Sequence, residues 1–449
     1  MKRLEFRVNG EFMKKQLWET KPLECWQFAK EIRRNYDKAI AGKDSVLGQG
    51  NTSFVIDWQA AFPAIRIIED NPVGAMMSSQ DEAFARRARL ASEVRGWGRE
   101  ICGYHNTCWG AQFLGRTADG KPFPERRFTV PFPCVCDSHI KRGQQCRDYK
   151  PVARWTNDFT MYTGERDEKR EEAMLDHRNF NTLKQLNEME TVFGQKLDDE
   201  TLFELARNCR LLKQYKTDVS YFMTFTPSPL SVKDLYSFFQ LGSLAKIGEE
   251  LALKFWKTLR DEVEWRVQNK IAAVGTERFR WIEAHPPSWH FLKYYRYMEQ
   301  YGAVCLGSQY THFAQSQLER KPDGSIADRD YPVYSPDMKL TTREDVVRFM
   351  TGPDARAPHH FKIDEYLRPL ALNEFADVFA ADGALFGLWR AGVGCTLTRK
   401  EQAMHLRKAG YSVMFYEGAQ SGDRVDLDEK RMLEQLDTWM ESLGLQKLD

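Results

Sequence analysis

The chain has 449 residues, which at roughly 150 residues per domain is too many for one simple unit and enough for about three domains or two larger ones. With 42% hydrophobic and 29% charged residues it has enough apolar side chain for substantial cores, which excludes wholesale disorder. Its 65 Lys and Arg against 64 Asp and Glu leave a net charge of +1, and this removes the electrostatic case for nucleic acid or an anionic membrane as partner. The N-terminal segment MKRLEFRVNGEFMKKQ has no apolar run of signal-peptide length, and no stretch approaches about 18 consecutive apolar residues. The expectation is a soluble cytoplasmic protein.

Along the chain the pattern is mixed α/β. A polar segment runs to about Gly48 and is followed by the apolar run Ser53 to Trp58. Gln80 to Arg99 is charged and helix-prone, with Ala and Leu interspersed. After REICGYHNTCWGAQFLG comes TADGKPFP, whose Asp119-Gly120 and two prolines are turn signals. Arg127 to Pro133 reads as a strand that delivers the chain to PCVCDSHIKRGQQC.

The middle is helical. Residues 166 to 193 carry Met174, Phe180, Leu183, Leu186, Met189 and Val192, mostly three apart, and Glu249 to Ala273 places Ala252, Phe255, Trp256, Leu259, Val263 and Val267 on one face. Both stripes predict core rather than a cofactor box. Leu202, Leu205, Ala206, Cys209 and Leu212 trace another helical face, which makes Cys209 a packing residue.

In the last third, Ala303 to Leu306 is a short strand, and Ala384 to Arg390 a second one. A helix over Thr398 to Ala409 closed by Gly410, a strand over Tyr411 to Tyr416 and a terminal helix over Leu427 to Leu443 follow. Strand–helix alternation of this kind predicts a parallel sheet covered on both faces, with ligands at the carboxyl ends of its strands.

Two phosphate-binding signatures fail. Gly115 to Lys121 matches half of a phosphate loop, but Pro122 stands where Ser or Thr would reach the magnesium. Gly48-Gln49-Gly50 lacks the third glycine of a dinucleotide fingerprint.

Nine cysteines carry the stronger signal, and Cys102, Cys108, Cys134, Cys136 and Cys146 are clustered. An odd number in a large chain without a signal peptide argues for metal or redox chemistry over a disulfide framework. Cys134-x-Cys136 is too tight and Cys102-x₅-Cys108 too wide for the usual zinc arms. An iron–sulfur cluster held by dispersed thiolates, zinc, and purely structural thiols all remain open on spacing alone. Cys136 ends a predicted strand and precedes Asp137-Ser138-His139, and Cys395 precedes the helix near Thr398. Both thiols would therefore sit near helix N-termini, which favour anions.

The blocks EVRGWGREICGYHNTCWG, PFPCVCDSHIKRGQQC, HPPSWHFLKYYRYMEQYGAVCLGSQY and DGALFGLWRAGVGCTLTRKEQ together resemble the larger cluster-carrying subunit of ATP-dependent (class I) benzoyl-CoA reductases. More broadly they resemble the 2-hydroxyacyl-CoA dehydratase superfamily, over nearly the whole chain. The resemblance implies a 4Fe–4S cluster held by Cys102, Cys136 and Cys395, with Cys108, Cys134 and Cys305 as the neighbouring alternatives. It implies two parallel-sheet (Rossmann- or flavodoxin-like) domains with the cluster in the cleft between them. The expected division is an N-terminal extension over 1–44, an α/β domain over 45–218, a helical connection over 219–275 and a second α/β domain over 276–449.

The implied reaction is a two-electron dearomatisation of benzoyl-CoA, or a substituted analogue, to a cyclic dienoyl-CoA. The implied partners are a second cluster-bearing reductase subunit, two ATPase activator subunits that share a 4Fe–4S cluster, and ferredoxin as electron donor. The alternative is a subunit of a 2-hydroxyacyl-CoA dehydratase. His105 and His139, each three residues after an expected ligand, are the candidate proton donors, with a hydrogen bond to a thiolate or a carbonyl as the plainer role for each. Tyr104 is nearer still in sequence, and His285, His290, His359 and His360 are further histidines without positional support. Lys141 and Arg142 are candidates to meet CoA phosphates, with a solvated helix face as the plainer role.

Overall fold

The computed structural model describes residues 18–41, 46–50, 62, 65–68, 70–125, 128–130, 137–149, 153–154, 168–239, 250–284, 287–288, 291–308, 318–328, 340–356, 371–388, 398–417 and 427–448. The fold is mixed α/β and contains two four-stranded parallel sheets. In the first, β1 (Val46–Gly50), β2 (Ile65–Ile68), β3 (Phe128–Val130) and β4 (Ala153–Arg154) lie in the order β2-β1-β3-β4. In the second, β5 (Phe279–Glu283), β6 (Ala303–Ser308), β9 (Gly383–Leu388) and β10 (Ser412–Glu417) lie in the order β10-β9-β5-β6. Between β6 and β9 in sequence, β7 (Leu318–Arg320) and β8 (Ile326–Asp328) form an antiparallel pair.

The burial of the second sheet explains its sequence. Every residue of β5 and β6 is buried; β6 (AVCLGS) reads as the apolar run of a parallel strand covered on both faces, whereas β5 (FRWIE) buries Arg280 and Glu283 as well. β10 at the edge mixes buried and partly exposed positions. The crossovers are helical: α10 (Lys293–Glu299) joins β5 to β6, α12 (Ala371–Val378) precedes β9, and α13 (Arg399–Lys408) joins β9 to β10. α13 ends where Gly410 adopts φ +93°, as its sequence predicts. The terminal helix α14 (Glu429–Ser442) buries Met432, Leu436, Trp439 and Met440 against this sheet.

The largest core surrounds the second sheet. It includes α8 (Val232–Phe239), α9 (Glu250–Asn269) and, from the other end of the chain, Leu23, Cys25, Ala29 and Ile32 at and within α1 (Trp26–Ala41). Glu262 of α9 accepts the backbone N–H groups of Glu24 and Cys25 at 2.9 and 3.1 Å, at the start of α1. Arg266 donates to the carbonyls of Lys21 and Pro22. The expected face of α9 is buried from Ala252 through Val263.

A second core joins α6 (Glu168–Phe193), α7 (Asp199–Phe222) and α11 (Arg343–Arg356), with Cys209 packed at its margin. Phe180 departs from expectation and is 65% exposed. The buried strip of α6 runs through Asn179, Thr182, Gln185, Leu186 and Met189, and Phe180 lies one residue, about 100° of helix, off that strip.

The amino end of β5 is built for stability. The buried Arg280 donates to the carbonyls of Met223, Thr224, Phe225 and Phe379 and pairs with Glu277. It thereby satisfies carbonyls that the end of α7 leaves over. Among the described residues, no helix is long and apolar enough to cross a membrane.

Candidate functional site

Three short helices follow the first sheet's β2: α2 (Asp70–Gln80), α3 (Glu82–Glu93) and α4 (Gly103–Leu114). Asp81 caps α3 by accepting the N–H of Phe84 at 2.9 Å. α4 is buried from Gly103 through Gln112, although it carries His105, Asn106, Thr107 and Gln112, so its polar groups need internal partners. Thr107 donates to the Gly103 carbonyl at 2.8 Å and Ser92 to the Asn106 side-chain oxygen at 3.1 Å. The Asn106 amide donates to the Gly98 carbonyl at 2.9 Å, and Gln145 donates to Gln112 at 3.1 Å.

Two glycines let the helix backbones touch. A Cβ at Gly74 would fall 1.8 Å from the Tyr104 carbonyl oxygen, and one at Gly110 would fall 1.6 Å from that of Ala88. Neither site can accept a side chain without moving a helix. The half phosphate-loop motif that follows is a turn, with Gly115 ending α4 at φ +69° and Thr117 N–H donating to the Lys121 carbonyl.

Cys102 is the residue immediately before α4, with φ −51° and ψ 127°, and its side chain makes no capping bond. It is 8% exposed and packs with Ala75 and Tyr104. Its backbone N–H donates to Ser138 Oγ at 3.1 Å. Ser138 is the second residue of α5 (Asp137–Tyr149), two positions after Cys136. The structure thus brings Cys102 against the first turn of the helix that Cys136 precedes. Cys134, Cys136 and Cys395 lie outside the described residues, as do the side chains of His139 and Cys146 and the whole of His285, His290, His359 and His360. Among the described residues no group of three or more His, Cys, Asp and Glu is arranged to hold a metal ion.

The neighbouring thiols differ in surroundings. Cys108 is buried with its S–H directed at Asp70 Oδ1, 3.8 Å away. Cys305 is buried in β6, and burial together with the Glu283 carboxylate pushes its thiol well above the ordinary range. His105 is buried with its ring edge-on to Trp109 at 5.9 Å. Burial, and then the charge of Arg142, holds it well below the usual histidine range, so its imidazole is neutral at neutral pH.

Arg142 is not on a solvated face. It is fully buried and donates from Nε to Asp70 Oδ2 at 2.6 Å, and the same carboxylate oxygen accepts Trp109 Nε1 at 2.8 Å. An arginine can leave water here because the carboxylate at the start of α2 faces it. This node ties α2, α4 and α5 together behind Cys102.

A second polar cluster, which sequence reasoning missed, occupies the carboxyl end of β5. Glu283, the last residue of that strand, is buried and accepts hydrogen bonds from the hydroxyls of Tyr294 and Tyr295 on α10 and, at 3.2 Å, of Tyr236 on α8. Tyr236 Oη also lies 2.7 Å from Oγ of Ser308, the last residue of β6. Burial raises the Glu283 carboxyl to about 7 against the pull of the three phenols. The signal available in the sequence was the aromatic run HFLKYYRYMEQYG after a strand that ends in Glu.

Comparison with known proteins finds that the family model described as "2-hydroxyglutaryl-CoA dehydratase, D-component" matches residues 84–443. No curated protein matches the chain.

Proposed function

The chain belongs to the 2-hydroxyglutaryl-CoA dehydratase D-component family, and from that premise we propose that it is the larger cluster-carrying subunit of a benzoyl-CoA reductase. Members of this family are radical-type enzymes of CoA thioesters that typically hold a 4Fe–4S cluster and work with an activator component. The finer reading, reductive dearomatisation of benzoyl-CoA or a substituted analogue, is supported by the four sequence blocks that surround the cysteines.

The observation that carries the site is the meeting of Cys102 with the first turn of α5 through Ser138. A thiolate ligand needs an electropositive, sheltered place, and the start of a buried helix provides one. Cys102 fits that demand. Cys108 does not, because a thiolate there would face the Asp70 carboxylate. The proposed ligand set is Cys102, Cys136 and Cys395, drawn from the two proposed α/β domains, 45–218 and 276–449. A 4Fe–4S cluster bound by these thiolates supplies single electrons at low potential to the thioester.

The chain's own residues do the rest. Ser138, which accepts the Cys102 N–H, and the first turn of α4 orient the Cys102 thiol. Ala75 and Tyr104 pack against Cys102 and shelter it from water, which otherwise competes for protons and electrons. His105, buried and neutral, holds a proton one turn into α4, and His139 on α5 is the second proposed donor. The proposed partners are a second cluster-bearing subunit, the two ATPase activator subunits and ferredoxin. The second reading, a subunit of a 2-hydroxyacyl-CoA dehydratase, fits the same family match.

Iron and acid-labile sulfide per chain in anaerobically purified protein test the cofactor, and their absence refutes both readings. Turnover of benzoyl-CoA against 2-hydroxyglutaryl-CoA by the complex supplied with ATP and reduced ferredoxin separates the two.

A further inference from the structure

Glu283 and its phenols are not explained by packing alone. The carboxyl lies at the end of a central strand of the second sheet, on the edge where parallel sheets place their ligands. From α8 it is faced by Tyr236, from α10 by Tyr294 and Tyr295, from β6 by Cys305 and Ser308, and from β10 by Tyr416. None of these groups is a cation. A buried carboxylate is costly where the described residues place no counter-charge beside it, and a glutamine in its place would offer one accepting oxygen where the hydroxyls address both carboxyl oxygens. A carboxyl that titrates near neutrality in such a place is poised to exchange protons.

The hydroxyls also have a direction. Tyr236 Oη stands between Glu283 Oε2 at 3.2 Å and Ser308 Oγ at 2.7 Å, and one hydroxyl proton serves one acceptor at a time. The three groups therefore form a row across the carboxyl ends of the neighbouring strands β5 and β6, where Glu283 and Ser308 stand in register.

We propose that Glu283 is a proton store and that Tyr236 and Ser308 conduct its proton along the carboxyl edge of the second sheet, from the end of β5 to the end of β6, where the acyl-CoA reaction consumes it; this rests on the proposed function. In one transfer the Glu283 O–H bond breaks as an O–H bond forms on Tyr236. Tyr236 passes its own hydroxyl proton to Ser308, and Ser308 passes its own to the acceptor. One proton leaves and one arrives, no electron moves, and the remaining carboxylate is held by Tyr294 and Tyr295.

The test uses the whole anaerobic protein and three variants, Glu283→Gln, Tyr236→Phe and Ser308→Ala. Infrared titration follows the carboxylic-acid C=O stretch, with Glu283→Gln to assign the band. The expected result is a band that fades as pH rises through about 7 and is absent in Glu283→Gln. In the complex, Tyr236→Phe and Ser308→Ala should each lower kcat at least about tenfold, with KM nearly unchanged and a larger solvent isotope effect. Ser308→Ala removes one oxygen and keeps the question open to measurement if Tyr236→Phe disturbs folding. An iron-loaded protein whose band is fixed across this pH range, or whose two hydroxyl variants turn over at the parent rate, overturns the relay and leaves the function standing. A protein without iron and without acyl-CoA turnover overturns the function, and the relay's role with it.

Discussion

Gly110→Ala sets two effects of opposite sign against each other. Helix propensity alone favours alanine by about 1 kcal/mol in a helix interior. Yet an added Cβ would lie 1.6 Å from the Ala88 carbonyl oxygen and 2.3 Å from its carbon. Ordinary contact begins at 3.4 Å, so α3 and α4 must part by about 1.8 Å. The obstructing atoms are backbone and cannot rotate aside, and Ser92–Asn106 and Arg89–Thr107 hydrogen bonds hold the two helices together. Overpacking of this kind costs about 3 kcal/mol at the upper end of its usual range, which outweighs the propensity gain and leaves a net loss of about 2 kcal/mol. Gly115→Ala is the matched control, with nothing within 4 Å of its Cβ and only a left-handed φ of +69° to oppose it, worth about 1 kcal/mol. Urea unfolding followed by tryptophan fluorescence should rank Gly110→Ala below Gly115→Ala, and Gly110→Ala should also lose iron, because α4 carries Cys102 at its start. A Gly110→Ala protein as stable as the parent would refute the close packing of the two helices.

Asp70→Asn should cost about 3–5 kcal/mol in the same unfolding assay, because it takes the carboxylate charge from a buried guanidinium. Replacing both partners, as Asp70→Leu with Arg142→Met, should restore much of that loss, and a double-mutant cycle that shows no coupling would contradict the pair. Cys102→Ser should abolish iron incorporation, whereas Cys108→Ala and Cys209→Ala should keep it and lose only about 1 kcal/mol of stability. Iron retained in Cys102→Ser would transfer the ligand role elsewhere. The raised carboxyl of Glu283 makes stability depend on pH: its contribution is complete below about 4.5, the ordinary carboxyl value, and is lost as pH rises through about 7. Urea midpoints should therefore fall more between pH 5 and pH 8 in the parent than in Glu283→Gln, by about 3 kcal/mol, and parallel curves would show that the carboxyl does not titrate in this range.

Local pattern made much of the fold legible. The apolar runs of β6 and β9, the strip on α9, the end of α13 at Gly410 and the packing role of Cys209 all follow from periodicity and backbone conformation, which act over a few residues. Cys102 was reached through resemblance, and its place before a helix start agrees with the charged helix and the small, uncharged segment on either side of it. What pattern could not supply was the partner of each buried polar group. Arg142 meets Asp70 from 72 positions away, Glu262 meets the backbone of Cys25 from 237 away, and Tyr236 meets Glu283 from 47 away. Phe180 shows the same limit from the apolar side, since the strip of α6 that packs holds Asn179, Thr182 and Gln185. Sequence by itself determined where many of the helices and strands form and pointed to the cysteines as the proposed ligands. Tertiary structure alone decided which charges leave water, because a buried charge persists only where a distant part of the chain brings its counter-charge or its hydrogen bonds.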